Sequence, residues 1–283
     1  MPMFFVSTAH RPPPELVELA HLADELGFDG LSMPDHVFVP AAPVGGYPYS
    51  ADGRPPFDAS TLWTDEFVAA AAALATTSLR FATCVYVLPL RHPLVVARAV
   101  ATLDALAPGR VEFGVGVGWM REEFDTLGVD HRRRGALTDE SIEVLRKLWR
   151  GGLVEHDGPN YPLPSLYFEP HPERSIPILI GGTSRAALTR AARLGDGYIA
   201  MPAATDDLLA AIRELRKLRE SFGRLDAAFA IHAWSDPDRS VDEYRRLAEA
   251  GIDTFHVPAT GAVDGVRPSL EQFLTDVAAN VLQ

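Results

Sequence analysis

The sequence predicts a (β/α)8 barrel that occupies residues 1–283 as a single domain. One helix–strand unit occurs three times: an Ala/Leu-rich amphipathic helix ends at a glycine, and a short apolar strand ends at a proline seven positions later. The three units end at Pro34, Pro202 and Pro258, and such repetition favours a cyclic architecture. Strand and helix patterns alternate eight times in 283 residues, which suits a barrel of this class.

The elements follow from local periodicity, because short apolar runs indicate strands and apolar residues three or four apart indicate helices. The predicted strands cover 3–6, 29–33, 79–87, 111–117, 176–182, 197–201, 227–234 and 252–257. The predicted helices cover 13–26, 62–76, 93–106, 134–149, 184–194, 204–221, 240–250 and 268–281. Glycine suits the residue after a helix, and proline ends a parallel strand because it has no N–H for the ladder.

Two irregular segments interrupt this alternation. Residues 37–60 follow strand two and are rich in Pro, Gly and Tyr, so they lie on the face where barrel enzymes place their sites. This insertion either covers a substrate or is simply solvated. Residues 151–175 precede strand five, and we expect them to be structural and to lie at the opposite face.

Composition excludes several classes of partner. The formal charge is −12, and the densest basic run, residues 131–135, is too short to form a phosphate-binding face for nucleic acid or an anionic membrane. Cys84 is the one cysteine, so no internal disulfide can form, and no apolar run is long enough to span a bilayer. The first residues lack the charged region of a signal peptide. We therefore expect a reducing, cytoplasmic setting.

A glycine-rich stretch, "GRVEFGVGVGWMREEF", covers residues 109–124. Gly114, Gly116 and Gly118 form G-x-G-x-G, but a dinucleotide fingerprint needs another glycine where Trp119 and Met120 stand. The glycines end strand four, where they allow a ligand to approach the backbone closely. We interpret the two glutamates that follow, Glu122 and Glu123, as a solvated first helical turn.

Other polar residues stand at strand ends. Asp35 and His36 follow strand two and form either an ion pair or a functional pair. Thr183 and Ser184, after Gly181 and Gly182, form either an anion site at a helix start or only its N-cap. Arg134 is either a cation for that anion or a solvated residue, and His232 and His256 are either site residues or satisfied core residues. No spacing of His and carboxylates indicates a metal site.

These blocks together carry a family resemblance. The segments "LGFDGLSMPDHVFVP", "YPYSADGRPPF", "LRFATCVYVLPLRHPLVVARAV", "GVGVGWMREEF" and "IPILIGGTSRAALTRAARLGDGYIAMP" resemble the luciferase-like monooxygenase superfamily, within it the branch that uses the deazaflavin coenzyme F420. The likeness spans about residues 15–202.

The resemblance implies roles for matching residues. It implies a non-prolyl cis peptide at Cys84–Val85 behind the coenzyme ring, and it places Asp35 and His36 beside the ring, with His36 handling a proton. The remaining implied coenzyme contacts are the tail-lining Gly116, Val117 and Gly118, the phosphate-end residues Gly181, Gly182, Thr183 and Ser184, and Arg134. Strand one lacks the glycine that is usual in the family, and we expect His10 to lie near the pocket.

The resemblance also implies an activity. We expect hydride transfer between coenzyme F420 and a small organic substrate, by a homodimer. FMN-dependent monooxygenation is the alternative, since sister branches hold FMN in the same barrel. A barrel that binds and carries the coenzyme without catalysis is a further alternative.

Overall fold

A computed structural model describes residues 1–8, 11–41, 46–50, 52–58, 60–259 and 263–281. Its strands are β1 (Met3–Ser7), β2 (Gly30–Met33), β3 (Arg80–Thr83), β4 (Tyr86–Val87), β5 (Val111–Gly116), β6 (Leu153–His156), β7 (Leu163–Tyr167), β8 (Ile178–Gly181), β9 (Gly197–Ile199), β10 (Ala230–Trp234) and β11 (Thr254–Pro258). Its α-helices are α1 (Pro13–Leu26), α2 (Glu66–Leu74), α3 (Pro93–Leu106), α4 (Arg121–Thr126), α5 (Arg134–Leu148), α6 (Arg185–Leu194), α7 (Thr205–Ser221), α8 (Val241–Glu249), α9 (Val263–Phe273) and α10 (Ala279–Val281). None of these helices is long and apolar enough to cross a bilayer.

Eight parallel strands close into a barrel. β1 pairs with both β2 and β11, and the ring continues through β10, β9, β8, β5 and β3 back to β2. β4 resumes the path of β3 after residues 84–85 and pairs with β5. The predicted (β/α)8 barrel is thereby confirmed, with its eight strands in sequence order around the ring.

The strand register sorts the side chains inside the barrel into layers. Phe5 points inward, since its ring lies 6.0 Å from the rings of both His232 and His256. Paired residues on neighbouring parallel strands face the same side, and strand tilt gives layers of four residues from alternate strands. From the amino end towards the carboxyl end, the layers are Gly30, Glu112, Gly197 and Thr254; Phe5, Ala82, Leu179 and His232; Ser32, Gly114, Ile199 and His256; and Ser7, Cys84, Gly181 and Trp234.

The predicted elements agree closely with the structure, and the differences have local causes. The helix predicted over 62–76 begins at Glu66, because the Asp65 side chain caps it by accepting from two backbone N–H groups. The strand predicted over 79–87 is interrupted at residues 84–85. The helix predicted over 268–281 begins at Val263 and contains Pro268, and a π-helical turn at Leu274–Ala278 joins it to α10.

The sequence did not predict the antiparallel hairpin of β6 and β7 within residues 151–175. This hairpin packs on the outside of α5. The buried Glu140 carboxylate of α5 accepts hydrogen bonds from the backbone N–H groups of Asn160 and Tyr161 in the hairpin loop, at 3.0 and 2.7 Å. His156 lies beside the same carboxylate, at 3.3 Å. These contacts give the segment the structural role that we expected.

Candidate active site

His36, which is partly buried, pairs with the fully buried Glu123 at the carboxyl end of the barrel. His36 follows β2, and its Nδ1 lies 3.0 Å from Oε2 of Glu123, which is on α4. The other oxygen of Glu123 accepts a hydrogen bond from the backbone N–H of Val37 at 2.6 Å. Glu123 is fully buried whereas Glu122 is exposed, so the solvated interpretation is wrong for Glu123 and correct for Glu122. An ionised carboxylate can only accept hydrogen bonds, so Nδ1 of His36 carries the proton. The other ring nitrogen, Nε2, is then left to exchange a proton with another group.

An aromatic wall surrounds His36. The ring centroids of Trp63, Phe57 and Trp119 lie 4.8, 5.3 and 5.7 Å from that of His36, and Tyr47 lies 5.2 Å from Trp119. We define the aromatic wall as Tyr47, Phe57, Trp63 and Trp119. Three of its members come from the segment between β2 and α2, so the described part of this insertion reaches across to the end of β5. This placement favours the interpretation that the insertion covers a substrate.

Asp35 binds Arg91 and β4. Its buried carboxylate accepts a hydrogen bond from the Val87 N–H at 2.8 Å and contacts both terminal nitrogens of the Arg91 guanidinium, one of them at 2.9 Å. Asp35 thus has an ion pair, but with Arg91, a residue the sequence had not indicated. Burial and then the charge of Asp35 raise the pKa of the neighbouring Glu66 to about 8. Asp35 therefore links the end of β2 to the segment after the strand interruption.

A non-prolyl cis peptide joins Cys84 and Val85, as predicted. The Val85 side chain lies against two glycines: a Cβ added to Gly116 would lie 2.7 Å from Val85 Cγ2, and one added to Gly181 would lie 2.6 Å from Cγ1. These glycines are therefore needed to accommodate Val85. Burial raises the pKa of the Cys84 thiol, so this cysteine stays neutral. Val85 fills the half of the mouth beside β5 and β8.

The remaining predicted coenzyme residues lie at two strand–helix junctions. After β5, Val117 is partly buried, and Gly118 has a φ of 78° and packs against Val87 and Phe124. After β8, Gly182 has a φ of 124° and its carbonyl accepts a hydrogen bond from the Tyr198 hydroxyl at 2.8 Å.

Thr183 and Ser184 follow Gly182 and are both exposed. Ser184 caps α6 by accepting from the Ala187 N–H at 3.1 Å, so the N-cap interpretation describes this residue. Arg134 begins α5 and donates to the His131 carbonyl at 2.9 Å. Burial, followed by the charge of Arg134, lowers the pKa of His131. The anion site at this helix start stays a prediction.

Two of the histidines considered from the sequence lie in the barrel core. His232 and His256 lie inside the barrel and are fully buried. Among residues 1–8, 11–41, 46–50, 52–58, 60–259 and 263–281, no group of three or more His, Cys, Asp or Glu has the geometry of a metal site. His10 lies outside the described residues. Arg91, Glu123 and Trp63 are candidate site residues that sequence reasoning missed, and nothing in the sequence distinguishes Glu123 from its exposed neighbour Glu122.

The chain is similar to known proteins along most of its length. The chain is 36% identical over 276 residues to an uncharacterized protein of Mycobacterium tuberculosis, covering 94% of this chain and 95% of the relative. It is 32% identical over 262 residues to the F420-dependent glucose-6-phosphate dehydrogenase of Nocardia farcinica, covering 88% of this chain and 74% of that enzyme.

Among solved structures, an F420-dependent secondary alcohol dehydrogenase in complex with an F420–acetone adduct superimposes with a TM-score of 0.79. Its sequence identity is 20%, and the match covers 99% of this chain and 98% of the other. This similarity concerns the fold. The sequence model of the luciferase-like monooxygenase family matches residues 3–276, and the chain therefore belongs to that family.

Proposed function

We propose that the protein is an oxidoreductase that transfers a hydride between coenzyme F420 and a small organic substrate. The buried Glu123 carboxylate that holds Nδ1 of His36 carries this proposal, because it provides an oriented imidazole at the mouth of the barrel. The relative in Nocardia farcinica, named as F420-dependent, supports the choice of coenzyme. When bound, the deazaflavin supplies the carbon that accepts or donates the hydride.

The residues present fit such a coenzyme. The Val85 methyl groups and the two glycines against them form an apolar surface for a flat ring, behind which Cys84 is buried. The exposed start of α6 and the left-handed glycines offer backbone N–H groups to a phosphate-bearing tail. The residues proposed to hold the coenzyme are Cys84, Val85, Gly116, Val117, Gly118, Arg134, Gly181, Gly182, Thr183 and Ser184.

His36 is the proposed proton-handling residue. When a hydride leaves the carbon of an alcohol, its hydroxyl proton must also leave, and the reverse reaction needs that proton returned. The Nε2 atom of His36 accepts or supplies this proton, while Glu123 holds Nδ1–H and stabilises the imidazolium that forms. Asp35 positions this part of the site through Arg91 and the Val87 N–H. The aromatic wall excludes water around the imidazole.

The test compares two His–Glu pairs in one protein. His36→Ala should lower kcat by about 10²-fold or more while the Kd for F420 changes less than about twofold. His171→Ala is the matched control, since His171 forms an exposed pair with Glu169 at 2.8 Å in the segment that follows β7. Unchanged turnover in His36→Ala would exclude the proton-handling role.

Titration of purified protein with F420 and FMN separates the candidate coenzymes. Tighter binding of F420 is expected. If FMN binds more tightly and supports substrate-dependent oxygen uptake, FMN-dependent monooxygenation replaces the proposal. Tight binding without turnover on a panel of alcohols and ketones would instead indicate a coenzyme carrier.

We also propose a homodimer. Helices α2 and α3 expose Val68, Val95 and Leu106, whose exposed fractions are 70%, 54% and 58%. Exposed apolar side chains on neighbouring helices are typical of an interface. Light scattering should give the mass of a dimer, and Val68→Glu should yield monomers; a monomeric wild type would refute this arrangement.

A further inference from the structure

A column of polar side chains runs through the barrel interior. The Arg80 guanidinium lies 2.6 Å from Oε1 of Glu112, and Oε2 of Glu112 lies 3.3 Å from Nε2 of His232. Nδ1 of His232 lies 3.2 Å from Nε2 of His256. The strand register places Glu112, His232 and His256 in three successive layers. The column therefore rises from the amino end of the barrel to the layer just below Cys84.

The Glu112 carboxylate at the lower end of the column determines which ring nitrogen of His232 and of His256 carries the proton. Glu112 attracts the proton of His232 to Nε2, although the contact is not aligned as a hydrogen bond. His232 Nδ1 is then an acceptor, so His256 donates its Nε2–H and keeps a lone pair on Nδ1. Burial lowers the pKa of His256 well below its ordinary value and, together with the charge of Arg80, that of His232 to about 3. Both imidazoles are neutral.

Four polar atoms near the top of the column lack partners. These are Nδ1 of His256, Nε1 of Trp234 and the hydroxyls of Ser7 and Ser32, all buried and without a hydrogen bond to any described residue. They occupy the two layers nearest the mouth, on β1, β2, β10 and β11. Buried polar groups are normally hydrogen-bonded, so four together indicate a missing partner.

These atoms lie across the barrel from Val85. Val85 fills the half of the mouth beside β5 and β8, against Gly116 and Gly181. The half beside β1, β2, β10 and β11 presents three donors and one acceptor. Of the four residues, Trp234 also packs against the cluster of Cys84, Leu179 and Ile199 that Val85 contacts, so its indole borders both the apolar and the polar half of the mouth.

We propose that Ser7, Ser32, Trp234 and His256 form a subsite for an uncharged hydroxyl or carbonyl group of the substrate. We call these four residues the polar floor. This inference rests on the proposed oxidoreductase function, and it names the substrate class: a neutral alcohol or its carbonyl product. A hydroxyl donates to His256 Nδ1, and either group accepts from the serine hydroxyls or the indole N–H. No bond is made or broken by these four residues.

The charges of the column explain why an anion is disfavoured. The lone pair on His256 repels a carboxylate or phosphate oxygen. The arginines near this half already have partners: Arg11 donates to the Ala259 carbonyl at 2.8 Å, Arg239 donates to the Trp234 and Ala203 carbonyls at 2.9 and 3.0 Å, and Arg80 is bound to Glu112. A buried anion without a cation is costly.

The first experiment observes His256 directly. Protein labelled with ¹⁵N at histidine is titrated with 2-propanol and with acetate, in the absence and presence of F420, and His256→Gln assigns the signals. We expect a neutral His256 with an unprotonated Nδ1 whose resonance shifts with 2-propanol and not with acetate. A proton on Nδ1, an equal response to acetate, or no response to 2-propanol would overturn the subsite.

The second experiment uses matched hydroxyl deletions. Ser7→Ala and Ser32→Ala should each weaken 2-propanol binding about three- to tenfold, with F420 binding changed less than about twofold. Thr254→Val is the control, because its hydroxyl is also buried and without a described partner but lies in the layer of Glu112, below the polar floor. Unchanged 2-propanol binding in both serine variants, or an equal loss in Thr254→Val, would show that ordered water alone occupies these atoms.

The two proposals fail separately. If neither F420 nor FMN binds while 2-propanol still shifts His256, the oxidoreductase proposal fails and the polar floor stands. If F420 binds and alcohols turn over while His256 and both serine variants are insensitive to 2-propanol, the polar floor is wrong and the proposed function stands.

Discussion

Glu66 is a buried carboxylate beside the site, and its replacement by glutamine tests the electrostatics around Asp35 and Arg91. It is the first residue of α2 and is 4% exposed. Burial is the largest cause of its raised pKa, and the charge of Asp35 is the next. The pKa rises from 4.5 to about 8, so the folded protein keeps this carboxyl protonated at neutral pH.

The raised pKa makes stability depend on pH with a definite sign. The folded state holds the proton more tightly than the unfolded chain, so the associated stability is complete below pH 4.5 and is lost as the pH rises through about 8. Each pH unit between these limits changes the free energy of unfolding by about 1.4 kcal/mol. Between about pH 6 and pH 9, the wild type should lose on the order of 2 kcal/mol, or about 5 °C in Tm, through this residue.

The assay is thermal and urea unfolding of wild type and Glu66→Gln across this pH range. Glutamine has the shape of the protonated carboxyl and does not ionise, so the variant should lack this loss and exceed the wild type in stability most clearly at about pH 9. Glu122→Gln is the matched control, because Glu122 is exposed on α4. Parallel pH profiles for wild type and Glu66→Gln would show that Glu66 is ionised in the folded protein and would refute the reasoning.

Three further substitutions test the site. Gly181→Ala places a Cβ 2.6 Å from a Val85 methyl and should destabilise the protein by about 1–3 kcal/mol in thermal unfolding, with recovery in the double variant that also carries Val85→Ala; no recovery would refute the fit. Arg91→Leu leaves the buried Asp35 carboxylate without its ion pair and should cost about 3–5 kcal/mol in urea unfolding, whereas a loss under about 1 kcal/mol would contradict a buried pair. Glu123→Gln should reduce kcat about tenfold or more with F420 affinity kept, and equal losses in both would indicate a structural role.

The fold could be predicted largely from the sequence because each barrel unit is locally encoded. Three helices that end at a glycine, with a proline-terminated strand seven residues later, show the repeat directly. The predicted helix 93–106 has the bounds of α3, since Pro93 and the capping His92 determine its start. The hairpin of β6 and β7 was missed because its strands show an alternating burial pattern only on β6 and depend on Glu140, a long-range partner on α5.

The site was predicted less completely, because its decisive contacts join distant segments. His36 could be identified from its position after a strand, but its partner Glu123 lies 87 residues away in a helix of six residues. In sequence, Glu123 cannot be distinguished from its exposed neighbour Glu122. Asp35 was expected beside the coenzyme, whereas the structure shows its carboxylate bound to Arg91, 56 residues away. Burial decides which polar residues take part in the site and which partners they bind, and burial depends on the packing of the whole barrel.

The conformation of the chain between β3 and β4 determines which side chains line the two halves of the mouth. At the interruption, the Val85 side chain points towards β5 and β8, where the facing residues are Gly116 and Gly181. These glycines leave the space that the apolar Val85 side chain fills. On the opposite strands, Ser7 and Trp234 lie in the same layer as Gly181, and Ser32 and His256 lie in the layer below it. In the proposed complex, the face of the coenzyme ring that does not contact Val85 is directed towards the polar floor. In the proposed complex, a substrate between the ring and the floor contacts both, and His36 follows β2, the strand that carries Ser32. The proposed polar floor predicts a substrate with an apolar body and one neutral oxygen, which is the class that the labelled-histidine titration tests.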